Sequence, residues 1–255
     1  MNPFPGLPAH RAGLGAWIKL PAIESVELMA EAGMDSVVID LEHSALSIET
    51  ASSLVSVALG RGLIPMVRVP DHSPSWIQRC LDLGARAVVV PHVDSVEQAR
   101  ALQQSSRFEP RGRRGMGPTT RAGGWNLSGP EPYLATERAI AVVVQIESAE
   151  GMAALPDMLA TSVADGVLLG AADLSMSLGL AMDDPKVFDL MSGALEHCVK
   201  HGVPCALAMG ADGAAAVRSA QRGFSLIIAG NDATMLGAAA RQVVTSAKAL
   251  ADAPS

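Results

Sequence analysis

The chain has 255 residues, is 49% hydrophobic but only 3% aromatic, and carries a formal net charge of −7. The acidic balance argues against a general nucleic-acid binder, which needs a surplus of Lys and Arg. No apolar run approaches membrane-spanning length and no amino-terminal segment reads as a secretory signal, so a cytoplasmic protein is expected. The three cysteines, Cys80, Cys198 and Cys205, are odd in number and lack metal-type spacing; they read as reduced, mostly buried thiols.

In chain order, strands alternate with helices. An irregular start leads into a strand at Gly13–Leu20 and a helix from Pro21 to about Gly33. Strands at Ser36–Glu42, Ile64–Val69 and Ala87–Val93 follow, with helices at Ile48–Arg61, Pro74–Leu83 and Ser95–Arg107. Apolar residues recur at three- and four-residue spacing in the helices, and Gly or Pro marks most breaks. Residues 108–137 are rich in Gly, Pro and Arg and have no clear period, as expected of a functional or mobile loop. The alternation resumes with a strand at Ile140–Ile146, a helix, and an apolar run at Val167–Leu169. A helix through Val187–Lys200, a strand at Val203–Ala208, a helix at Ala211–Gln221, a strand at Ser225–Gly230 and a helix from Asp232 to about Leu250 complete the chain. Eight such units of roughly 25–30 residues predict an α/β fold, a (β/α)8 TIM barrel forming one domain over residues 1–255. A doubly wound sheet is the weaker alternative, because no GxGxxG follows the first strand.

In a parallel barrel, chemistry is done at the carboxyl ends of the strands. Those ends carry Trp17 and Lys19; Asp40, Glu42 and His43; Arg68, with Asp71 and His72 just beyond; His92 and Asp94; Gln145 and Glu147; and Asp173. Glu147 and Asp173 end consecutive buried strands and are placed to share a divalent cation. Taken singly, Glu147 reads as an acid favouring the dipole of a helix starting at Ser148, and Asp173 as an N-cap.

The segments VVIDLEHS, PMVRV, VVVPHV, VVVQIES and GAADLS, in that order, with RGxG at Arg114–Gly117, resemble the HpcH/HpaI aldolase family from about Gly13 to Gly230. These are metal-dependent class II pyruvate aldolases of the phosphoenolpyruvate/pyruvate barrel superfamily. The resemblance implies that Glu147 and Asp173 are metal ligands, and that Gln145 and Ala172 bind substrate. It makes His43 the catalytic base with Asp40 nearby, Arg68 the stabiliser of the transition state, and Asp82 an acid that raises the basicity of the histidine. It also implies a homo-oligomer, with a hexamer suggested. Leu41 stands where the family commonly has a small residue, Ala171 where it has proline, and His92 where an apolar residue is expected.

The residue chemistry agrees with those roles. A pyruvate enolate forms when a methyl proton leaves and negative charge is held on oxygen. A divalent cation supplies the Lewis acid, and two carboxylates make a hard oxygen site suited to Mg2+ or Mn2+, with Co2+ also compatible. Arg68 is expensive to bury without an anion; the enolate oxygen is one partner, and a salt bridge with Asp40 or Glu42 is the alternative. His43 is the natural general base, its ring oriented by Asp40 or another acid; the alternative is a surface-loop histidine. Backbone amides of Gly170, Ala171 and Ala172 at a helix start would receive the pyruvate carboxylate alongside Asp173. Trp17 lines the pocket or packs in the core. Asp82 falls near a helix end before strand four, at the barrel's far face, so a role in catalysis would need a subunit boundary. Arg114 and Arg121 are candidates for a carboxylate on the aldehyde, or belong to a solvated loop.

Other mechanisms compete. His43, His72 and His92 would make a hydrolytic zinc triad; Lys19 would form a Schiff base; the barrel would be a non-catalytic keto-acid sensor; and the same enolate chemistry serves oxaloacetate decarboxylation. The expected activity is reversible cleavage of a 4-hydroxy-2-oxo acid, of the 4-hydroxy-2-oxoheptanedioate or 2-dehydro-3-deoxyglucarate type, into pyruvate and an aldehyde.

Overall fold

In the computed structural model, which describes residues 4 and 6–251, eight parallel strands pair in chain order and close into a barrel. The strands are β1 Gly13–Ile18, β2 Ser36–Asp40, β3 Ile64–Arg68, β4 Ala87–Val90, β5 Ala141–Ile146, β6 Gly166–Gly170, β7 Cys205–Met209 and β8 Leu226–Asn231. The helices are α1 Ile23–Glu31, α2 Ile48–Gly60, α3 Pro74–Asp82, α4 Val96–Ser106, α5 Glu131–Ala135, α6 Ala149–Ala160, α7 Ala171–Leu178, α8 Pro185–His201, α9 Gly213–Arg222 and α10 Asp232–Ala251. The expected (β/α)8 TIM barrel is therefore the observed fold.

The β-branched runs form these strands because both faces are covered. Val37, Ile39, Val67, Val88, Val144 and Leu169 face the helices; Trp17, Val38, Met66, Val89, Val143 and Leu168 fill the barrel interior. Each fully buried Val, Leu or Ile contributes about 1.5–3 kcal/mol. Phe4 and Leu7 join the interior cluster, and Phe4 seats against Gly166, where an added Cβ would stand 2.7 Å from its ring. Helix starts are set by side chains: Ser47, Ser95 and Ser148 accept the backbone N–H of Thr50, Gln98 and Gly151, each such cap contributing about 1 kcal/mol.

Strand alternation positions the site. Side chains at every second residue point inward, so the residues continuing the interior rows of Trp17, Val38, Met66 and Val143 are Lys19, Asp40 with Glu42, Arg68, and Gln145 with Glu147. Asp40 and Arg68 are direct neighbours in the β2–β3 register. All lie at the carboxyl end.

The helix start expected at Gly170–Ala172 is present: α7 opens immediately after β6, with Gly170 rather than Asp173 as its N-cap. One feature differs from the sequence-based expectation. Residues 108–137 are not structureless: a 3-10 turn at Gly124–Asn126, helix α5, and a 3-10 turn beginning at Thr136 lie within or across that range. Ion pairs hold the segment. Buried Glu137 accepts the Phe108 N–H at 2.7 Å and pairs with Arg111, and Arg107 pairs with Asp165. Such pairs have no sequence period.

Helix α10 packs its contacts onto β1 and β8 while exposing Leu236, Val243 and Val244. Among the described residues, no helix is long and apolar enough to cross a membrane.

Candidate active site

At the mouth, Arg68 and Asp40 form the centre. Arg68 donates from Nε and Nη2 to the two oxygens of Asp40 at 2.9 and 2.7 Å, and its Nη1 lies 2.9 Å from Glu42 Oε2. The guanidinium sits 4.3 Å from the Trp17 ring centroid. The salt-bridge alternative for Arg68 is the one observed, with two acids as partners, and its side chain also lines the cavity. Asp40 is fully buried and also accepts from Lys19 Nζ and from the backbone N–H of Glu42 and His43. Burial opposes its ionisation, but Arg68, Lys19 and the His43 N–H outweigh that and hold its pKa at about 2.

His43 stands on the turn after β2 with its ring 59% exposed, facing the same cavity. Asp40 holds this turn through the His43 backbone N–H. The acid nearest the ring is Glu42, 3.8 Å from Nε2. Of the acids expected to orient the ring, Asp40 or another, Asp40 is engaged elsewhere, with both its oxygens turned to Arg68 and Lys19.

Glu147 is buried. The N-cap of the helix that follows, α6, is Ser148. Glu147 Oε1 accepts the His92 N–H at 2.9 Å and lies 3.2 Å from His92 Nδ1, and Glu147 Oε2 accepts from the Gln145 amide. Burial raises its pKa, the Gln145 and His92 donors and the His92 charge oppose that, and the charge of Asp173 pushes it further up. Asp173 is the third residue of α7 and makes no capping bond; it lines the cavity with Gln145, Gly170, Ala171 and Ala172. Gly170 makes this approach feasible: a Cβ there would stand 3.0 Å from Glu147 Oε2 and 3.1 Å from Glu147 Cβ. The Gln145 Oε1 is buried without a hydrogen-bond partner, an acceptor left for whatever enters.

The cavity lined by His43, Gln145 and Asp173 has a volume of about 1130 Å3 and runs from Trp17, Lys19 and Arg68 toward Met191, Leu207 and Phe224; Glu147 lies behind Gln145 and is not part of its lining. Glu42, expected at the strand end only as a partner for Arg68, takes that place, and the period-two spacing from Asp40 signals its inward direction. His92 matters more than its departure from an apolar residue suggested. It adopts a left-handed φ of 53°, rare for a non-glycine residue, and its ring lies between Glu147 and Glu42, 3.5 Å from Glu42 Oε1.

Other candidates lie elsewhere. Asp82 ends α3, where it accepts from Arg114 at 2.7 Å and from the Tyr133 hydroxyl at 2.7 Å; it does not line the cavity within one chain. Arg114 is buried over the rings of Phe108 and Tyr133, and Arg121 packs its stem against Gly84. Neither lines the mouth. The zinc triad does not form: His72 Nε2 is paired with the Pro91 carbonyl at 2.7 Å. Among the described residues no three His, Cys, Asp or Glu side chains are gathered to enclose an ion.

With that geometry in place, the sequence matches the family profile described as HpcH/HpaI aldolase/citrate lyase over residues 14–239. The chain belongs to that family. It is 32% identical over 246 residues to a hydroxypyruvate/pyruvate aldolase of Rhizorhabdus wittichii, covering 94% of this chain and 96% of the relative. It is 33% identical over 233 residues to a 4-hydroxy-2-oxo-heptane-1,7-dioate aldolase of Salmonella typhimurium, covering 90% and 88%. The crystal structure of an HpcH/HpaI aldolase/citrate lyase family protein from Burkholderia cenocepacia superposes with a TM-score of 0.86 at 30% identity, covering 93% of this chain and 95% of that one. The HpcH/HpaI resemblance read from the strand-end segments is borne out, and the chain is a carbon–carbon lyase of the aldolase type.

Proposed function

We propose that this aldolase is metal-dependent and reversibly cleaves a 4-hydroxy-2-oxo acid into pyruvate and an aldehyde. The observation that carries the reading is the buried Glu147 carboxylate bonded to Gln145, which with Asp173 lines the cavity and keeps an unpartnered oxygen. Two acids beside an open acceptor fit a hard divalent cation such as Mg2+, Mn2+ or Co2+, with water or substrate oxygens completing the shell. Glu147 and Asp173 would hold it. When bound, the cation supplies Lewis-acid polarisation of the keto oxygen.

The chain's own groups do the rest. In the cleavage direction the His43 ring takes the proton of the C4 hydroxyl, the C3–C4 bond breaks, and the aldehyde leaves. The protonated ring then returns that proton to C3, giving the pyruvate methyl group. Arg68, fixed by Asp40 and Trp17, donates toward the oxygen that becomes negative, without reorganising. The first backbone amides of α7, which have no intrahelical acceptor, receive the substrate carboxylate. Pyruvate as the donor is supported by the names of the two aldolase relatives.

We further propose a homo-oligomer, supported by the exposed Leu236, Val243 and Val244 of α10, in which Asp82 would reach a site only across a subunit boundary. Cytoplasmic residence is supported by three cysteines that are all free and buried. The test of the main reading is turnover with a panel of aldehydes before and after chelation, with E147Q and D173N alongside. Loss of activity on chelation, restored by a divalent ion and absent in both variants, is expected; chelation-resistant turnover would exclude the metal role.

A further inference from the structure

Lys19 has no place in the chemistry so far, yet it is among the most constrained side chains at the mouth. It continues the inward row of β1 two residues after Trp17 and lines the cavity. Its backbone is pinned: the N–H groups of Lys19 and Leu20 donate to the two oxygens of buried Asp232 at 2.9 and 3.0 Å. Its Nζ donates to Asp40 Oδ2 and, at 3.1 Å, to the backbone carbonyl of His43. These contacts occupy the ammonium in a way that a neutral Schiff-base nucleophile would have to abandon.

We propose that Lys19 is a positioning residue for the enolisation step, an inference that rests on the pyruvate aldolase reading. It acts in two ways. Its bond to the His43 carbonyl ties the turn carrying the base to the end of β1. That turn's other tether is the pair of backbone N–H groups of Glu42 and His43 on Asp40. With both tethers present, an exposed ring sits on a fixed backbone. Lys19 also shares Asp40 with Arg68. Asp40 and Glu42 together would fully neutralise Arg68 and leave the group net negative; a second cation on Asp40 restores neutrality, so Arg68 keeps attraction for a developing oxyanion.

Exchange of the pyruvate methyl protons in deuterated water with Mg2+, followed by proton NMR, isolates this step from the aldehyde. The wild type is expected to exchange, and K19M to slow exchange about 10- to 100-fold, a part of the roughly 100- to 10,000-fold that general acid–base catalysis contributes when its base is well placed. The loss should fall on kcat, with KM for pyruvate nearly unchanged, since Lys19 is engaged with the protein. K19R, which keeps a cation for Asp40, should recover part of the rate. K19Q, which keeps a donor but no charge, should lie near K19M. Exchange at the wild-type rate in either folded neutral variant, or a K19R no faster than K19M, overturns the proposal. Borohydride trapping of pyruvate on Lys19 would overturn it as well. Absence of exchange in the wild type would instead overturn the aldolase chemistry on which it rests.

Discussion

Replacing Asp40 by Asn removes one charge and almost no volume, so it probes the electrostatic centre of the mouth. The drop in the Asp40 pKa from 3.8 to about 2 corresponds to about 2 kcal/mol in favour of the native carboxylate. That figure understates the variant's cost, because Arg68 and Lys19 would remain beside a neutral amide. Breaking a buried ion pair by removing one partner typically costs about 3–5 kcal/mol; Glu42 still pairs with Arg68 at 2.9 Å, which places the expectation near the lower end. For a chain of this size each kcal/mol moves Tm by roughly 2–4 °C, so D40N should melt roughly 6–12 °C below wild type at neutral pH. The folded carboxyl has the lower pKa, so its contribution is complete above 3.8 and vanishes as pH falls through about 2. Thermal melts by circular dichroism between pH 2 and pH 7 would therefore show the wild type and D40N curves converging at the acid end. A constant gap across that window, or equal melting temperatures at pH 7, would refute the argument.

Two further outcomes follow from contacts at and beyond the mouth. G170A should lower kcat about tenfold or more with a stability loss of only about 1–3 kcal/mol, because the new methyl group displaces the Glu147 carboxylate from 3.0 Å; steady-state rates and a thermal melt on one preparation check this. R114M should cost about 2–4 kcal/mol in urea denaturation, since it removes the cation paired with Asp82 and stacked on Phe108 and Tyr133, leaving Asp82 only the Tyr133 hydroxyl.

Much of the barrel was readable because its signal is local. Runs such as Val88–Val90 and Val142–Val144 are apolar throughout because both faces are buried, and that places them as strands of a covered parallel sheet. The same alternation that sends Trp17 inward sends Lys19 inward, and the step from Asp40 to Glu42 follows the same rule. The start of α7 was legible at Gly170–Ala172, but its N-cap is Gly170 and not Asp173. The place of Arg114 was not legible, because a Gly- and Pro-rich segment carries no period, whereas Arg114 is buried and paired with Asp82, 32 positions earlier in the chain.

The amino-acid order alone therefore determined the eightfold alternation and the set of polar groups that end its strands, since both arise from side-chain period and from covalent neighbours. Only closure of the barrel decided which of those groups meet. It joined Lys19 to Asp40 and Asp232, brought His92 onto Glu147, and turned His72 away to Pro91. Such meetings depend on strand register and ring closure, which bring together residues far apart in the chain and leave no periodic trace within it.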